Sequence, residues 1–263
     1  MELAMARDRR SVDVWADWRE LGGATRMGVL HATPARGKEV FAFEYDRGWL
    51  DARPARIVDP ALRLHRGPQY VSAERDNFGV FLDSSPDRWG RVLLQRREAQ
   101  LAREDGRAER RLTELDYLLG VYDGHRMGGL RFRVDGGPFL DDNAELASPP
   151  WTSLRELEHA SLALERDGAE ADPAYGRWLR MLIAPGRSLG GARPKASVLD
   201  QRGRLWIAKF PSERDDHDVG AWERVVHVLA RRAGIEAAER APWSRSASAL
   251  ATHRVLHLRL RRR

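Results

Sequence analysis

The first fifty residues alternate apolar and polar side chains with the period of two that is typical of β-strands. The segments SVDVW, RMGVLHA and EVFAFEYD show this alternation, and Gly22-Gly23 and the stretch 34–37 separate them. The pattern predicts three strands joined as hairpins. The segment YDRGWLDARP follows them, and we expect Trp49 and Leu50 to lie in the core.

Residues 83–90, Asp-Ser-Ser-Pro-Asp-Arg-Trp-Gly, predict the beginning of a long helix. Ser85 is expected as the N-cap, Pro86 at the first helical position, and Asp87 as a carboxylate in the first turn. The helix is predicted to end near Arg103. The residues expected on its apolar side are Trp89, Val92, Leu93 and Leu101.

Two more elements are predicted before residue 136. The segment LTELDYLLGVYD begins with Thr113 as an N-cap and carries Leu115, Leu118 and Leu119 on one face, which indicates a helix. The segment GGLRFRVDGG has the pattern of a strand that ends in a Gly-Gly turn.

The second half of the chain begins with two predicted helices, introduced by Ser153 and by Asp172 with Pro173 inside the helix. Strands are predicted at 195–199 and 205–210, joined by a tight Asp-Gln-Arg-Gly turn. A helix is predicted over 218–233. The residues expected on its core face are Val219, Trp222, Val226, Leu229 and Ala233.

Composition limits the function classes. The 263 residues are 42% hydrophobic and 32% charged, as in ordinary globular proteins. The sequence contains no cysteine, which excludes disulfides and thiolate metal sites. No apolar run reaches the length of a membrane span, and MELAMARDRR has no secretory h-region, so that a cytoplasmic protein without a membrane partner is expected.

The net charge of +6 comes from one end of the chain. Residues 240–263 contain seven arginines and no acidic residue, whereas the remaining 38 basic and 39 acidic side chains nearly cancel. The body of the protein therefore has no excess charge for phosphate groups. Binding of nucleic acid through this tail is one alternative function.

A combination of three features after residue 187 resembles the ATP site of protein kinases. A glycine-rich segment, Ser188–Lys195, allows backbone N–H groups to approach phosphates, Lys209 lies on a following strand, and Glu223 on the next helix can hold that lysine. The kinase pattern G-x-G-x-x-G is absent. An ordinary turn, a solvated lysine and a surface glutamate are the alternative interpretations.

The segment 83–90 and the strings YDRGWL, DYLLGVYDGHRMGGLRFR, SLGGARPKASV and WIAKFPS followed by AWE resemble the HipA family of bacterial serine/threonine kinases, which are toxins of type II toxin–antitoxin pairs. The resemblance runs from about Val12 to Glu239. It implies an α+β protein with a β-rich N-terminal subdomain, 11–148, and the N-lobe of a protein-kinase-like fold, 149–239. It leaves a basic tail, 240–263, expected to be disordered or a short helix.

The resemblance also implies ATP with Mg²⁺ and a helix-turn-helix antitoxin of the HipB type, which would connect the protein to DNA. The residues implied to contact the nucleotide are Gly190, Gly191, Ala192, Arg193, Pro194, Lys195 and Lys209. Glu223 would hold Lys209, and Ser188 lies where the family carries an autophosphorylated serine. Trp89 is expected to pack at the start of its helix while Arg88 pairs with a carboxylate.

The sequence departs from the family after Glu239, because residues 240–263 contain no Asp, Glu or Asn. The family's catalytic aspartate, its asparagine and its metal-binding aspartate have no counterpart, so that no catalytic or metal-binding residue is assigned. We interpret the chain as an N-terminal portion that is inactive alone, with truncation or a shifted reading frame favoured over an evolved basic arm. A non-catalytic, antitoxin-binding regulatory module is the other alternative.

Overall fold

The computed structural model describes residues 9–35, 37–52, 56–123, 126, 128–140, 149–186, 193–237, 240–243 and 254–257. Its strands are β1 Arg10–Ala16, β2 Thr25–Ala35, β3 Lys38–Tyr45, β4 Gln69–Tyr70, β5 Leu130–Val134, β6 Lys195–Leu199, β7 Leu205–Lys209, β8 Arg240–Trp243 and β9 Arg254–His257. Its α-helices are α1 Arg47–Asp51, α2 Gly79–Asp83, α3 Arg88–Glu104, α4 Glu114–Leu119, α5 Leu154–Glu165, α6 Tyr175–Gly186 and α7 Val219–Arg232.

The chain forms two compact units. Their helices and strands confirm the predicted mixed α+β class. The first unit contains the described residues up to 86 and from 110 to 140, and the second contains 87–109 and those from 149 onward. The predicted boundary after residue 148 differs from this division for residues 87–109. Trp89 and Leu93 of α3 belong to the apolar core of the second unit, which explains the difference.

The first unit is built on a five-stranded antiparallel sheet in the order β4-β3-β2-β1-β5. The three predicted N-terminal strands and their hairpin connections are confirmed, as is the strand at β5. Trp49 is buried and Leu50 packs against the same core, as expected. One face of the sheet and α2 supply the phenylalanines of this core. These are Phe41, Phe43, Phe78, Phe81 and Phe132.

Helix α4 begins as its sequence predicts. Thr113 caps the helix. Its hydroxyl oxygen accepts a hydrogen bond from the backbone N–H of Asp116, and the Asp116 carboxylate accepts one from the backbone N–H of Thr113, which together form a capping box. Leu115 and Leu118 are buried, and Leu119 packs against the core. At this helix the predicted N-cap and the predicted apolar face are therefore both confirmed.

A buried arginine joins the segments of the first unit that follow α2 and α4. The guanidinium of Arg126 donates to the backbone carbonyls of Ser84, Leu118 and Val121 at 2.7–2.9 Å. It also forms an ion pair with Asp123 at 2.9 Å. The Arg126 and Asp123 side chains are fully buried, so that the arginine satisfies carbonyl groups that water does not reach.

The start of α3 differs from the prediction by two residues. Asp87, not Ser85, is the N-cap, and its carboxylate accepts a hydrogen bond from the backbone N–H of Gly90. The Ser85 hydroxyl instead donates to the carbonyl of Phe81, at the end of α2. Asp and Ser are equally good caps, and the competing bond to Phe81 decides between them.

The buried side of α3 also differs in part from the prediction. Trp89 and Leu93 are buried as expected, whereas Leu101 is exposed and Val92 only half-buried. Leu94 and Ala102 are buried in their place. The stripe is rotated slightly around the helix relative to the predicted one, since the neighbouring elements determine which positions are covered.

The second unit packs α3, α5 and α6 around one core and contains a four-stranded sheet in the order β6-β7-β9-β8. Strand β6 has the predicted bounds and β7 ends one residue earlier than predicted. Helix α6 begins at Tyr175, so that Pro173 precedes the helix rather than lying inside it. The Asp172 carboxylate accepts a hydrogen bond from the Ala174 N–H in the turn before the helix.

Helix α7 has the predicted position, but its predicted core face is not buried. Asp218 is the N-cap and Ala233 the C-cap, in agreement with the expected bounds. Trp222 and Val226 are each 62% exposed, and Leu229 is exposed as well. The apolar residues of this helix do lie on one face, as predicted, but the described residues do not cover that face.

Part of the basic tail forms strands, which differs from the expected disorder or short helix. Strand β9 pairs with both β7 and β8, so that residues 240–243 and 254–257 extend the second sheet. Pairing with β7 satisfies backbone groups of both strands. The remaining tail residues lie outside the described chain. Among the described helices, none combines the length and apolar character needed to cross a membrane.

Candidate functional site

The hairpin of β6 and β7 places two lysines opposite each other. In this antiparallel pair Lys195, at the start of β6, is the cross-strand partner of Lys209, at the end of β7. Directly opposed like charges repel, so each ammonium group requires its own carboxylate. The described residues supply one for each lysine.

The turn at residues 200–203 fixes the register of this hairpin. Gly203 adopts a φ of 69°, which favours glycine. The Asp200 carboxylate accepts hydrogen bonds from the backbone N–H groups of Arg202 and Arg204, the Arg204 guanidinium, and the indole N–H of Trp206. Burial raises the pKa of Asp200, but these hydrogen bonds outweigh it and hold the pKa well below the usual range.

Lys209 pairs with a glutamate on the helix that follows its strand. Its Nζ lies 2.7 Å from Oε1 of Glu223, and each side chain is 29% exposed. The predicted approach of these two residues is confirmed. The N-cap of α7 fixes the start of the helix, since the Asp218 carboxylate accepts a hydrogen bond from the N–H of Ala221 at 2.9 Å. Glu223 therefore stands in the second turn of a capped helix.

Lys195 is paired with the N-cap of α3. Its Nζ lies 2.5 Å from Oδ2 of Asp87, with side-chain exposures of only 2% and 9%. Burial raises the pKa of Asp87 and lowers the pKa of Lys195, although the hydrogen bond between the two groups opposes both shifts. The family resemblance implies a nucleotide contact for Lys195, whereas its ammonium group lies in this buried ion pair.

Sequence reasoning did not identify Asp87 as the partner of Lys195. The available signal was Asp87 itself, an aspartate between a proline and an arginine at a predicted helix start. Its favourable interaction with the helix dipole was a sufficient explanation without any lysine partner. Arg88, which was expected to find a carboxylate, is exposed and has no ion pair with any described residue. The acidic residue of this motif, rather than the basic one, makes the ionic contact.

Arg193 and Pro194 lie between the glycine-rich segment and β6. The Arg193 guanidinium binds both carboxylate oxygens of Asp215, at 2.7 and 2.5 Å. This bidentate contact is among the causes that lower the pKa of Asp215, against the opposing effect of burial. The carbonyl of Pro194 accepts a hydrogen bond from the N–H of Phe210. Both contacts fix the position of the chain directly before β6.

Four of the residues implied by the family resemblance lie outside the described chain. They are Ser188, Gly190, Gly191 and Ala192. The described part of the site therefore consists of two lysine–carboxylate pairs and the Arg193–Asp215 pair. Lys209 is the more exposed of the two lysines and is the one suited to bind a phosphate group.

A resident metal does not fit the described residues, because no three or more His, Asp or Glu side chains among them are grouped as a metal site requires. We therefore derive no step through a metal ion. Phosphate groups fit better, because Lys209 is a partly exposed cation at the end of a strand.

None of the curated proteins is significantly similar to the chain. A family model does match one segment, residues 187–255, which begins in the glycine-rich segment and includes Lys209, Glu223 and β8. The match continues to residue 255, within the basic tail. Residues 187–255 are similar to the HipA-like C-terminal domain, and this similarity supports a relationship of the chain to the HipA family.

Proposed function

We propose that the chain carries the ATP-binding part of a HipA-like serine/threonine protein kinase of a type II toxin–antitoxin system. The observation that carries the proposal is the ion pair of Lys209 with Glu223, formed between a strand and the helix that follows it. Protein kinases hold their phosphate-binding lysine in this way, from a strand to the next helix. The segment that contains the pair is also the one that matches the HipA-like C-terminal domain.

The residues of the site divide into phosphate binding and support. The Lys209 ammonium would neutralise charge on the α and β phosphates, and Glu223 would keep the ammonium from turning away. The Arg193–Asp215 pair would hold the end of the glycine-rich segment. Bound ATP supplies the γ-phosphoryl group for transfer. No described residue is assigned as its catalytic base, so we expect no transfer by this polypeptide alone.

The proposal includes a helix-turn-helix antitoxin as partner, through which the protein would be connected to DNA. Its support is the sequence resemblance of the segment 83–90, YDRGWL and DYLLGVYDGHRMGGLRFR to the HipA family. Two of these segments contain Asp87 and Asp123, which the structure places in buried ion pairs. These residues therefore have structural roles that do not depend on the partner.

The affinity for ATP is expected to be low. A partly exposed lysine–phosphate pair contributes about 1 kcal/mol or less, and binding in the millimolar range corresponds to about −4 kcal/mol. Saturation-transfer NMR with ATP measures binding of this strength. Because about 1 kcal/mol corresponds to roughly a fivefold change in affinity, Lys209→Ala should weaken ATP binding by up to about fivefold, and Glu223→Gln should weaken it less.

Lys38→Ala is the matched control, because Lys38 is an exposed lysine on a strand of the other unit. It should leave the ATP signal unchanged. Equal signals from the wild type, Lys209→Ala and Lys38→Ala would contradict the proposed nucleotide site.

A further inference from the structure

A cavity of about 430 Å³ that is widely open to solvent lies within the second unit, and none of its lining residues belongs to the two lysine pairs. It is lined by α3, the residues just after α3, the 3-10 helix Ala169–Ala171 and the first residue of α6. Its volume is in the range of small-molecule sites. Its lining includes Arg96, Ala99, Arg103, Arg107, Glu170 and Tyr175.

Small side chains keep the cavity open beside a close helix crossing. A Cβ atom added to Gly176 of α6 would lie 2.3 Å from Nε2 of the Gln100 side chain on α3, so the missing side chain at Gly176 leaves room for Gln100 between the two helices. Ala99 and Ala102 lie beside this crossing on α3 and fill little of the adjacent space. The glycine and the alanines together leave a recess between two well-fixed helices.

Two arginines reach this cavity without a carboxylate partner among the described residues. Arg96 and Arg103 lie seven positions apart on α3 and therefore share one face of the helix. Arg96 donates to the carbonyl of Leu164 at 2.5 Å, near the end of α5. The Arg103 guanidinium carbon lies 5.8 Å from the ring centroid of Tyr175. Both guanidinium groups are thereby positioned by contacts that involve no carboxylate.

A third arginine is held by a buried glutamate. Arg107 Nη1 lies 2.5 Å from Oε1 of Glu98, whose side chain is almost fully buried, and Arg107 Nε lies 3.2 Å from Oδ2 of the exposed Asp105. Tyr175 is buried as well, and burial raises the pKa of its hydroxyl; the charges of Arg96 and Arg103 partly oppose this shift, and the negative charge of Glu170 adds to it. The tyrosine hydroxyl thus lies within the field of both unpaired cations.

We propose that this cavity binds a small phosphomonoester that carries hydroxyl groups, in the manner of a sugar phosphate. Arginine binds phosphate oxygens through paired N–H donors, and three arginines line a cavity larger than inorganic phosphate needs. The exposed carboxylates of Glu109 and Glu170 also line it and accept hydrogen bonds from ligand hydroxyls. This site is separate from the proposed nucleotide site and does not depend on it.

Titration calorimetry with ribose 5-phosphate, inorganic phosphate and ribose tests the proposal on the full chain. Ribose 5-phosphate should bind at least about tenfold more tightly than inorganic phosphate, and ribose should not bind. Arg103→Gln should weaken ribose 5-phosphate by about tenfold or more. Arg97→Gln, an exposed arginine on the same helix that does not line the cavity, is the matched control and should bind like the wild type.

Two further variants separate this site from folding defects and from the nucleotide site. Ala99→Phe fills the recess and should abolish binding while the circular dichroism spectrum is retained. Lys209→Ala should leave the affinity unchanged. Absence of wild-type binding below about 10 mM, equal affinity for the two phosphates, or equal effects of Arg103→Gln and Arg97→Gln would each overturn the assignment.

Discussion

The carboxylate of Asp87 caps helix α3 and at the same time lies 2.5 Å from the ammonium group of Lys195 on β6. The two residues are 108 positions apart in the chain. The first residue of a strand at the candidate site is thus fixed to the start of a core helix of the same unit.

Removing the charge of Asp87 should destabilise the second unit. Asp87→Asn keeps a good capping group but leaves the buried ammonium of Lys195 without this carboxylate, which should cost about 3 kcal/mol. Urea unfolding followed by tryptophan fluorescence measures the change. The double variant Asp87→Asn with Lys195→Met should regain a large part of the loss, and simple additivity of the two substitutions would contradict a direct ion pair.

Replacement of Arg126 should destabilise the first unit more than any exposed substitution. Arg126→Met leaves three buried carbonyls and the Asp123 carboxylate without the guanidinium, at an expected cost of about 4 kcal/mol. Arg126→Lys should not restore stability, because one ammonium group cannot replace the planar array of donors. Arg75→Met, at an exposed turn position, should change the unfolding free energy by no more than about 0.5 kcal/mol.

The two tryptophans of the hairpin and of α7 should respond very differently to truncation. Trp206 is 2% exposed and its indole donates to Asp200, so that Trp206→Ala should cost about 3–5 kcal/mol. Trp222 is largely exposed, and Trp222→Ala should stay within about 0.5 kcal/mol. Similar losses for both variants, measured by urea unfolding, would mean that the apolar face of α7 is covered in solution.

Acid should weaken the second unit through Asp200 and Asp215. The folded-state pKa of each carboxyl lies below its unfolded value, so the unfolded chain binds protons first as the pH falls. Their stabilisation is complete above about pH 5 and is lost as the pH falls through the folded-state pKa values. The raised pKa of Asp87 acts in the opposite direction and at higher pH, between its unfolded value and its folded-state value, where stability is lost as the pH rises.

Urea unfolding between pH 6 and 2 checks this pH dependence. Asp200→Asn should be less stable than the wild type at pH 6, and its stability should fall less steeply with acid. Asp167→Asn, at an exposed position of the same unit, should keep the wild-type slope. A wild-type slope in Asp200→Asn would show that this carboxylate does not titrate with folding.

The sequence predicted what is encoded locally. The alternation in residues 11–45, the capping box at Thr113 and the order of strand, lysine and glutamate gave the elements and the contact of Lys209 with Glu223. These features depend on neighbouring residues or on a single connection. The same reasoning placed the start of α3 two residues early, because two nearby residues are equally good caps.

The contacts of Lys195 and Arg126 could not be predicted in the same way. Asp87 is distant from Lys195 in the chain, and the carbonyl partners of Arg126 carry no side-chain signal at all. The exposure of the apolar face of α7 could not be predicted either. An apolar period predicts which face of a helix is hydrophobic, but not whether another part of the protein packs against that face. These contacts depend on which residues the fold brings close together, and the residue types in the sequence do not show that.

The register of the β6–β7 hairpin restricts how related chains can vary in length. Successive side chains of a strand point to opposite faces, so one residue inserted within β7, between Leu205 and Lys209, would turn Lys209 away from Glu223. Such an insertion would have to be absorbed by a bulge or balanced by a second inserted residue. Insertions and deletions within this strand should therefore occur in pairs among chains that retain the Lys209–Glu223 contact.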